Sequence, residues 1–599
     1  MIKTLGIIFT SIFICNVYAV TNISLTPFSK PVKNVKVLEL KGSKKIAEGK
    51  VHLGLNLRPF VNGKYDDFKW IYFSGKNISL HFDAKPKVKI KKYNLTVWNL
   101  FNQPIYSKMF PGDISHEVIN FDVKGKGTYL ITIDAWENDD PESSKSRLIR
   151  SFGVVNNNAP KQKVWREKND YLLGTAMFGP RYYRWKRWNM NQNMDVEYLT
   201  PKDVIKKIGA VTRTLGMTAM RSDLDIVHHN FPGITRENFD NLHANKLAFF
   251  LKIIIKPDIF IGKTTKFNKE KYLAFQKKLD FWIDNYLRSG KNIAMVAVGN
   301  EPAHHEFWAG TFDQYLVLLK LIRAKVKKAN PNIIIVGGGT CLPGANLNGE
   351  RARNYQSYLK KRAFQKKWYE RYFREAAKYT DIHTYHFHGK LDDIYFNWRK
   401  WEDEQLKKNK LNISSMQTEG GACAWRLDLE SPTWMNLLQK IFYSWGRGDS
   451  GWYQYLMAGT RFSERIHMNT GLHTGWDMVS ANNFSPKFIY GTMSAVIDIF
   501  AGCKRDKTLF VEKDGEIRYY AYSFKHPEGL MLVHFAAPVT DKKLSKSISF
   551  NTDAEELVFI DPMGNITKTS KIKKQTLPVK NYPSYILLKG ASKVEAVLK

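Results

Sequence analysis

The 599-residue sequence predicts an α/β fold: a (β/α)8 TIM barrel flanked by N-terminal and C-terminal β-sandwich domains. Three observations carry this expectation. Between residues 158 and 502, eight apolar strand-like runs alternate with helical patterns, the count that closes a parallel barrel. Before them, residues 20–157 hold short alternating strands and polar turns without a helical period. After them, from 503 to 599, the alternation returns around an Asp514-Gly515 hairpin turn. The composition, 43% hydrophobic and 25% charged, is that of a folded chain rather than a disordered one. Beyond the first twenty residues no apolar run reaches the ~18 residues that a membrane-spanning helix needs.

In order along the chain, Met1 to Ala19 has a cationic start at Lys3, an apolar core from Leu5 to Cys15 and a Val17-Tyr18-Ala19 ending. It reads as a signal peptide removed on export, which predicts a secreted or periplasmic protein with no stable membrane span; a retained anchor is the alternative. The Ig-like N-terminal unit follows, with strands expected at Asn77 to Phe82 and Tyr129 to Ala135. Lys85, Lys87, Lys89 and Lys91 alternate, which on a strand would put four cations on one face, either a protected edge or a polyanion-binding stripe. Asn156 to Pro160 reads as a linker.

The eight barrel strands are expected at Tyr171 to Phe178, Thr218 to Ser222, Leu247 to Ile255, Asn292 to Gly299, Asn332 to Gly338, Asp381 to Phe387, Asn412 to Thr418 and Ser450 to Leu456. Pro201 opens one intervening helix at its first position, Phe312 to Val326 follow helical spacing until Asn330-Pro331, and the last helix runs from about Pro486 to Phe500.

Lys plus Arg exceed Asp plus Glu by 92 to 56, a net charge of +36. Such a field draws polyanions, and an acidic polysaccharide and a merely lysine-rich, solvated surface both fit it. Nucleic acid fits poorly: the chain has no Cys/His finger spacing, basic heptad helix or phosphate-cradling glycine loop. Signal removal leaves Cys341, Cys423 and Cys503, too few and too scattered for a disulfide framework or a zinc site.

The chemistry of such a barrel lies at the carboxyl ends of its strands. The fourth ends Ala297-Val298-Gly299-Asn300-Glu301-Pro302, where alternation turns Ala297, Gly299 and Glu301 inward. The seventh ends Ser415-Met416-Gln417-Thr418-Glu419, where the same parity selects Ser415, Gln417 and Glu419. Two carboxylates therefore face each other across the mouth. About 5 to 5.5 Å apart they suit a retaining glycoside hydrolysis; about 6.5 to 9.5 Å would admit an inverting water.

These strand ends resemble those of the retaining (β/α)8 glycoside hydrolases of clan A, which include cellulases, β-galactosidases and β-xylosidases. The resemblance implies that Glu301 is the acid/base, Glu419 the nucleophile and Asn300 the partner of the sugar 2-hydroxyl. It implies that Arg221 lies against the nucleophile and keeps it ionised, although an ion pair with Asp223 or Asp225 would also explain that arginine. His383 and Tyr385 match the clan's His-x-Tyr, with Tyr385 holding the nucleophile, and Trp452 falls where the clan places an aromatic floor under the sugar. Glu301 would need a raised pKa, from a less polar pocket and from Glu419.

Trp185, in the run Arg181-Tyr182-Tyr183-Arg184-Trp185-Lys186-Arg187-Trp188, mixes aromatics with cations in a way suited to an anionic sugar. His386, in a cluster with His383 and His388, would pair with a sulfate or carboxylate on that sugar. His304 and His305 add to the histidine count, but no metal-ligand spacing supports a metal, and no cofactor is expected. The segments Ser222 to Asp225 and Cys423 to Arg426 match no subfamily and leave specificity open.

The expected function is an exported retaining hydrolase of an oligo- or polysaccharide, with sulfated and uronate-bearing polymers as candidates. A noncatalytic carbohydrate-binding or assembly protein on an inactive barrel is the alternative, and a transglycosylase would share every residue named.

Overall fold

The computed structural model describes residues 19–25, 55–138, 144–177, 201–225, 240–304, 307–341, 355–421, 431–455 and 485–599, with short gaps inside these spans and short pieces between 457 and 479. The export segment through residue 18, Trp185 and its aromatic–basic run, His305, and the Cys423 to Arg426 loop lie outside the described residues.

One curled, all-parallel sheet organises the middle of the chain. Its strands are β1 (Leu172–Met177), β2 (Ala219–Asp225), β3 (Ala248–Ile254), β4 (Ile293–Val298), β5 in two pieces (Ile334–Val336 and Thr340–Cys341), β6 (His383–Phe387), β7 (Ser415–Gly420) and β8 (Gly451–Tyr455). All eight overlap the apolar runs expected from sequence, with β2, β7 and the second piece of β5 running past the expected ends. The spatial order is β5-β4-β3-β2-β1-β8-β7-β6-β5, the two outermost positions being the two pieces of β5. A parallel bridge from Val336 to Ile382 lies beside them.

Alternation along each strand sorts side chains to two faces. The inner face gathers Ala219, Phe250, Met295, Val336, Met416 and Tyr453 into one small cluster. The outer face packs against helices such as Phe312–Ala329, whose start is fixed by a capping box between Thr311 and Gln314.

Upstream, two five-stranded sheets share a core of Leu80, Phe82, Leu95, Ile119, Ile131 and Phe152. Downstream, a six-stranded and a three-stranded sheet share another, built on Leu532, Ile548, Phe550 and Ile586. The expected hairpin forms between Lys504–Asp514 and Ile517–His526, with its two-residue turn one position later, at Gly515-Glu516.

Two expectations change here. The lysines at 85, 89 and 91 lie between the strands Ile78–Ala84 and Lys92–Trp98 rather than on one strand, and Lys87 is outside the described residues. Pro86, which has no N–H for a ladder, interrupts the alternation that suggested a shared face. The expected linker is tied down: Asn156 Nδ2 donates to Asp498 at 2.7 Å, and Asn158 Nδ2 to the carbonyl oxygens of Leu215 and Ser494. A helix over Lys161–Lys168, not anticipated from sequence, follows at once and buries Trp165 against Trp445. Cys341 and Cys503 are buried free thiols. No helix among the described residues is long and apolar enough to cross a membrane.

Candidate active site

The site is assembled at the carboxyl ends of β2, β3, β4, β6 and β7. On β2, Arg221 shares the inward parity of Ala219 and is 3% exposed. Its Nη1 donates to Glu419 Oε2 at 2.6 Å and to the Thr418 carbonyl at 2.8 Å, while Nη2 donates to Asn300 Oδ1 at 2.9 Å. The guanidinium thus serves the nucleophile candidate and the Asn300 amide together. On β3, Lys252 follows Ala248 and Phe250 inward and brings Nζ to 3.3 Å from the same Asn300 oxygen. With two cations on Oδ1, the amide is oriented so that Nδ2 remains to donate elsewhere.

β4 ends at Val298, and the backbone then turns through Gly299 at φ +78° and Glu301 at φ +37°. A glutamate with positive φ is strained and persists only where its surroundings hold it. Here the Glu301 N–H donates to the Gly338 carbonyl at 2.8 Å, across the break between the two pieces of β5. Gly339, at φ +89°, lies so close to His386 that a β-carbon would fall 2.4 Å from its Nε2. The glycine break in β5 thus both anchors Glu301 and makes room for the histidine.

His386 joins the two glutamates. Its Nδ1 lies 2.9 Å from Glu301 Oε1 and 3.6 Å from Glu419 Oε2, and its Nε2 is 3.1 Å from Thr418 Oγ1. His388 Nε2 approaches Glu419 Oε1 at 3.5 Å from the other side, and Tyr455 at the end of β8 meets the His388 ring edge-on at 5.0 Å. One ligand atom from each of Glu301, His386 and Glu419 lies within 4.8 Å of the others, so the two carboxylates are close neighbours. The same triad has the spacing to seat a cation, as does a second group on the upstream sheets, His81, Asp83 and His116.

Electrostatics separate the two carboxylates from ordinary ones. Burial would raise both pKa values. At Glu419, the charge of Arg221 followed by those of His386 and His388 outweighs burial and holds the carboxyl well below the usual range. At Glu301, the hydrogen bond and charge of His386 overcome burial and the repulsion of Glu419, and the net shift is downward. This reverses the raised value expected for a resting acid, because a histidine sits where a less polar wall was expected. Burial also lowers His388, in part offset by its bond to Glu419.

Three expected site residues lie elsewhere. His383 and Tyr385 occupy the outer face of β6: the Tyr385 hydroxyl donates to Asp449 Oδ2 at 2.6 Å, not to Glu419, and the Arg399 guanidinium stacks 3.6 Å from its ring centre. His383 is fully buried beside Glu402, and burial together with Arg399 pushes it down to about 3. The pattern that reaches the glutamates is His386-Phe387-His388, three residues further on, with His388 where a tyrosine was expected. Trp452 is fully buried on the outer face of β8, whereas Tyr453 and Tyr455 have the inward parity.

The parity assigned to β7 also changes. Met416 faces in, and Gln417 is turned away with its amide on the Phe387 carbonyl. An irregularity in register between Gln417 and Gly420 resets the alternation and brings Glu419 inward. Lys252, His388 and Tyr455 were not singled out for the site. Lys252 is concealed in an apolar strand run, and only its parity with Phe250 marks it as inward.

No protein-family model matches this chain, and no curated protein matches it. Among solved structures, its neighbours are glycosidases. A glucosidase from Croceicoccus marinus is 12% identical over 69% of this chain and 95% of its own, with a TM-score of 0.40. An FMN-binding beta-glucuronidase from Facaelibacterium prausnitzii L2-6 is 10% identical over 91% and 73%, at 0.35. A putative beta-galactosidase from Bacteroides fragilis is 10% identical over 90% and 72%, at 0.33. At these scores the functional reading rests on the geometry of the site.

Proposed function

We propose that this chain is an exported, retaining glycoside hydrolase built on a closed (β/α)8 barrel between two β-sandwich domains. Closure is supported by the two pieces of β5 standing at opposite ends of the sheet order. The catalytic reading is carried by one observation: two inward glutamates with oxygens within 4.8 Å, one of them on Arg221. Such proximity favours double displacement over inversion, which uses carboxyl groups about 6.5 to 9.5 Å apart.

Glu419, kept anionic by Arg221, attacks the anomeric carbon while Glu301 gives its proton to the departing oxygen. Water then enters and its oxygen bonds to the anomeric carbon while Glu301 takes its proton and the carbon–Glu419 bond breaks, which releases the sugar with its original configuration. Asn300 Nδ2 donates to the sugar 2-hydroxyl. Because Glu301 has a depressed pKa, its protonated form, and so the first step, belongs to acidic pH. The excess of basic residues and the Arg221–Lys252 pair favour a uronate-bearing or sulfated polymer as substrate.

The test is reducing-end release from neutral, uronate-bearing and sulfated polysaccharides by the full chain and by Glu419→Ala, with the initial product anomer read by proton NMR. Release that Glu419→Ala abolishes, with configuration kept, is the expected result. An inverted product would overturn the two-step mechanism. Binding without release in both proteins would favour the noncatalytic carbohydrate-binding alternative.

A further inference from the structure

In the upstream strand Ile78–Ala84, alternation sends Ile78, Leu80, Phe82 and Ala84 into the shared core and leaves Ser79, His81 and Asp83 on the opposite face. The antiparallel neighbour His116–Val123 divides in the same way: Ile119 and Phe121 enter the core, and His116 has the other parity. The register pairs Asp83 directly with His116 and His81 with Val118. His81, Asp83 and His116 therefore stand on one face, two of them at i and i+2 of one strand and the third across from the second. Side chains directly opposite one another in a ladder are close enough to touch.

Asp83 lies between the two rings. Its Oδ2 is 3.1 Å from His81 Nδ1 and its Oδ1 is 2.9 Å from His116 Nδ1, while the rings stack with centres 5.8 Å apart and planes 26° from parallel. One ligand atom from each residue lies within 4.8 Å of the others. A tetrahedral zinc ion with bonds of about 2.0 to 2.2 Å holds neighbouring ligand atoms about 3.3 Å apart, close to both nitrogen–oxygen separations. His81 is fully buried and fixes one ligand, whereas Asp83 is 20% and His116 34% exposed, which gives a cation its way in and leaves a coordination position to water. Two imidazole nitrogens and one carboxylate suit a first-row divalent ion; calcium and magnesium take oxygen ligands instead. By register, Arg58 and Asn56 of the strand Leu55–Val61 stand opposite His81 and Asp83. The arginine opposes a cation, and the Asp83 charge offsets it.

We propose that His81, Asp83 and His116 form a Zn²⁺ site that clips the strands Ile78–Ala84 and His116–Val123 together. Both rings offer Nδ1 to the ion, each carrying its proton on Nε2, and the carboxylate turns to give it one or both oxygens. Asp83 and His116 are the last pair of their ladder and lie 33 residues apart in the chain, so the ion braces a long-range contact where the ladder ends. The sequence hides the site because its third ligand comes from another strand. The inference is independent of the glycosidase reading.

The experiment is calorimetric titration of the chelator-treated full chain with Zn²⁺ and, separately, with Ca²⁺. It is done on Glu419→Ala protein, because the Glu301–His386–Glu419 triad also has the spacing to seat a cation. The titrations are repeated after adding His116→Ala, at a partly exposed position, and after adding Asp83→Asn, which keeps the shape of the side chain and removes its charge. The expected result is about one equivalent of bound Zn²⁺, with affinity at least tenfold weaker in either variant. Zn²⁺ should also raise the thermal midpoint of the parent and leave that of the variants in place, since only a ligand of the folded state stabilises it. Ca²⁺ should do neither. Equal Zn²⁺ affinity in all three proteins would put the ion elsewhere, and Ca²⁺ bound as tightly as Zn²⁺ would exclude the imidazole ligands. No saturable Zn²⁺ binding by the folded parent would leave the three residues as a hydrogen-bonded bridge. Each of these outcomes would overturn the proposal.

Discussion

The two faces of β6 carry two polar networks of similar composition and opposite use. On the inner face, His386 ties Glu301 to Glu419, and the side chains keep contact with solvent: Glu301 is 13% exposed, Glu419 10% and His388 16%. On the outer face, Tyr385 and His383 join Asp449, Arg399 and Glu402, all between 0 and 4% exposed. Each network has histidine, arginine and two carboxylates. The inner one has a strained glutamate and two like charges forced together at an opening; in the outer one each carboxylate has its own arginine contact and no access. Buried polarity alone therefore does not single out the proposed site, whereas like charges held together on partly exposed side chains do.

The largest expected difference between the faces is in rate. Glu419→Ala removes the proposed attacking group and should lower kcat by more than ~10⁴-fold in the hydrolysis assay, far out of proportion to the loss of stability, since Arg221 keeps Asn300 and the Thr418 carbonyl. Asp449→Ala should do the reverse. It removes the acceptor of the buried Tyr385 and Ser444 hydroxyls and one of the two carboxylates of Arg399 and Arg447, which keep Glu402 and Asp403, a loss of about 1 to 3 kcal/mol read by urea unfolding, while the folded fraction keeps its kcat. Asp449 also has a depressed pKa: burial raises it, but Arg447 and Arg399 outweigh that. Its contribution is therefore present above the ordinary aspartate value and lost as pH falls through its folded value, so acid should unfold the wild type and affect Asp449→Ala less. Comparable activity losses in the two variants would erase the distinction between the faces.

The next effect is on pH dependence. His386 is what depresses Glu301, and His386→Ala leaves burial and Glu419 acting on it, both of which raise a carboxyl. The basic limb of kcat/KM, which follows deprotonation of Glu301 in the free protein, should move to higher pH. The acidic limb should move less, since Arg221 still holds Glu419. A profile that loses amplitude with both limbs in place would make His386 a packing residue.

Much of this was legible in the sequence, for physical reasons. Strands covered on both faces read as continuous apolar runs, so all eight parallel strands could be located. Glu301, Glu419, Arg221 and Asn300 stand at strand ends, where position alone marks them. Orientation was less legible. The resemblance placed the outer-face pair His383 and Tyr385 at the site because a His-x-Tyr spacing is repeated in altered form by His386-Phe387-His388. The irregularity in β7 reset the parity that selects Glu419, and no local signal announces it. The downward shift at Glu301 depends on one 2.9 Å contact that only the assembled sheet creates.

The smallest expected effect concerns two of the three aromatic residues of β8, Tyr455 and Trp452, and it tests parity most directly. Tyr455 has the inward parity and touches His388 beside Glu419, so its ring is placed to stack on bound sugar. Tyr455→Ala should remove a contact worth about 0.5 to 1.5 kcal/mol. That is a two- to twelvefold rise in KM with kcat little changed, since the contact is made in the ground state and the transition state alike. Trp452, three residues earlier and facing the helices, should behave oppositely. Trp452→Ala should cost about 3 to 5 kcal/mol of stability and leave the KM of the folded protein unchanged. If Trp452→Ala instead raised KM at undiminished stability, the outer face of β8 would be reaching the sugar, and the sorting of residues between the two faces would fail at this strand.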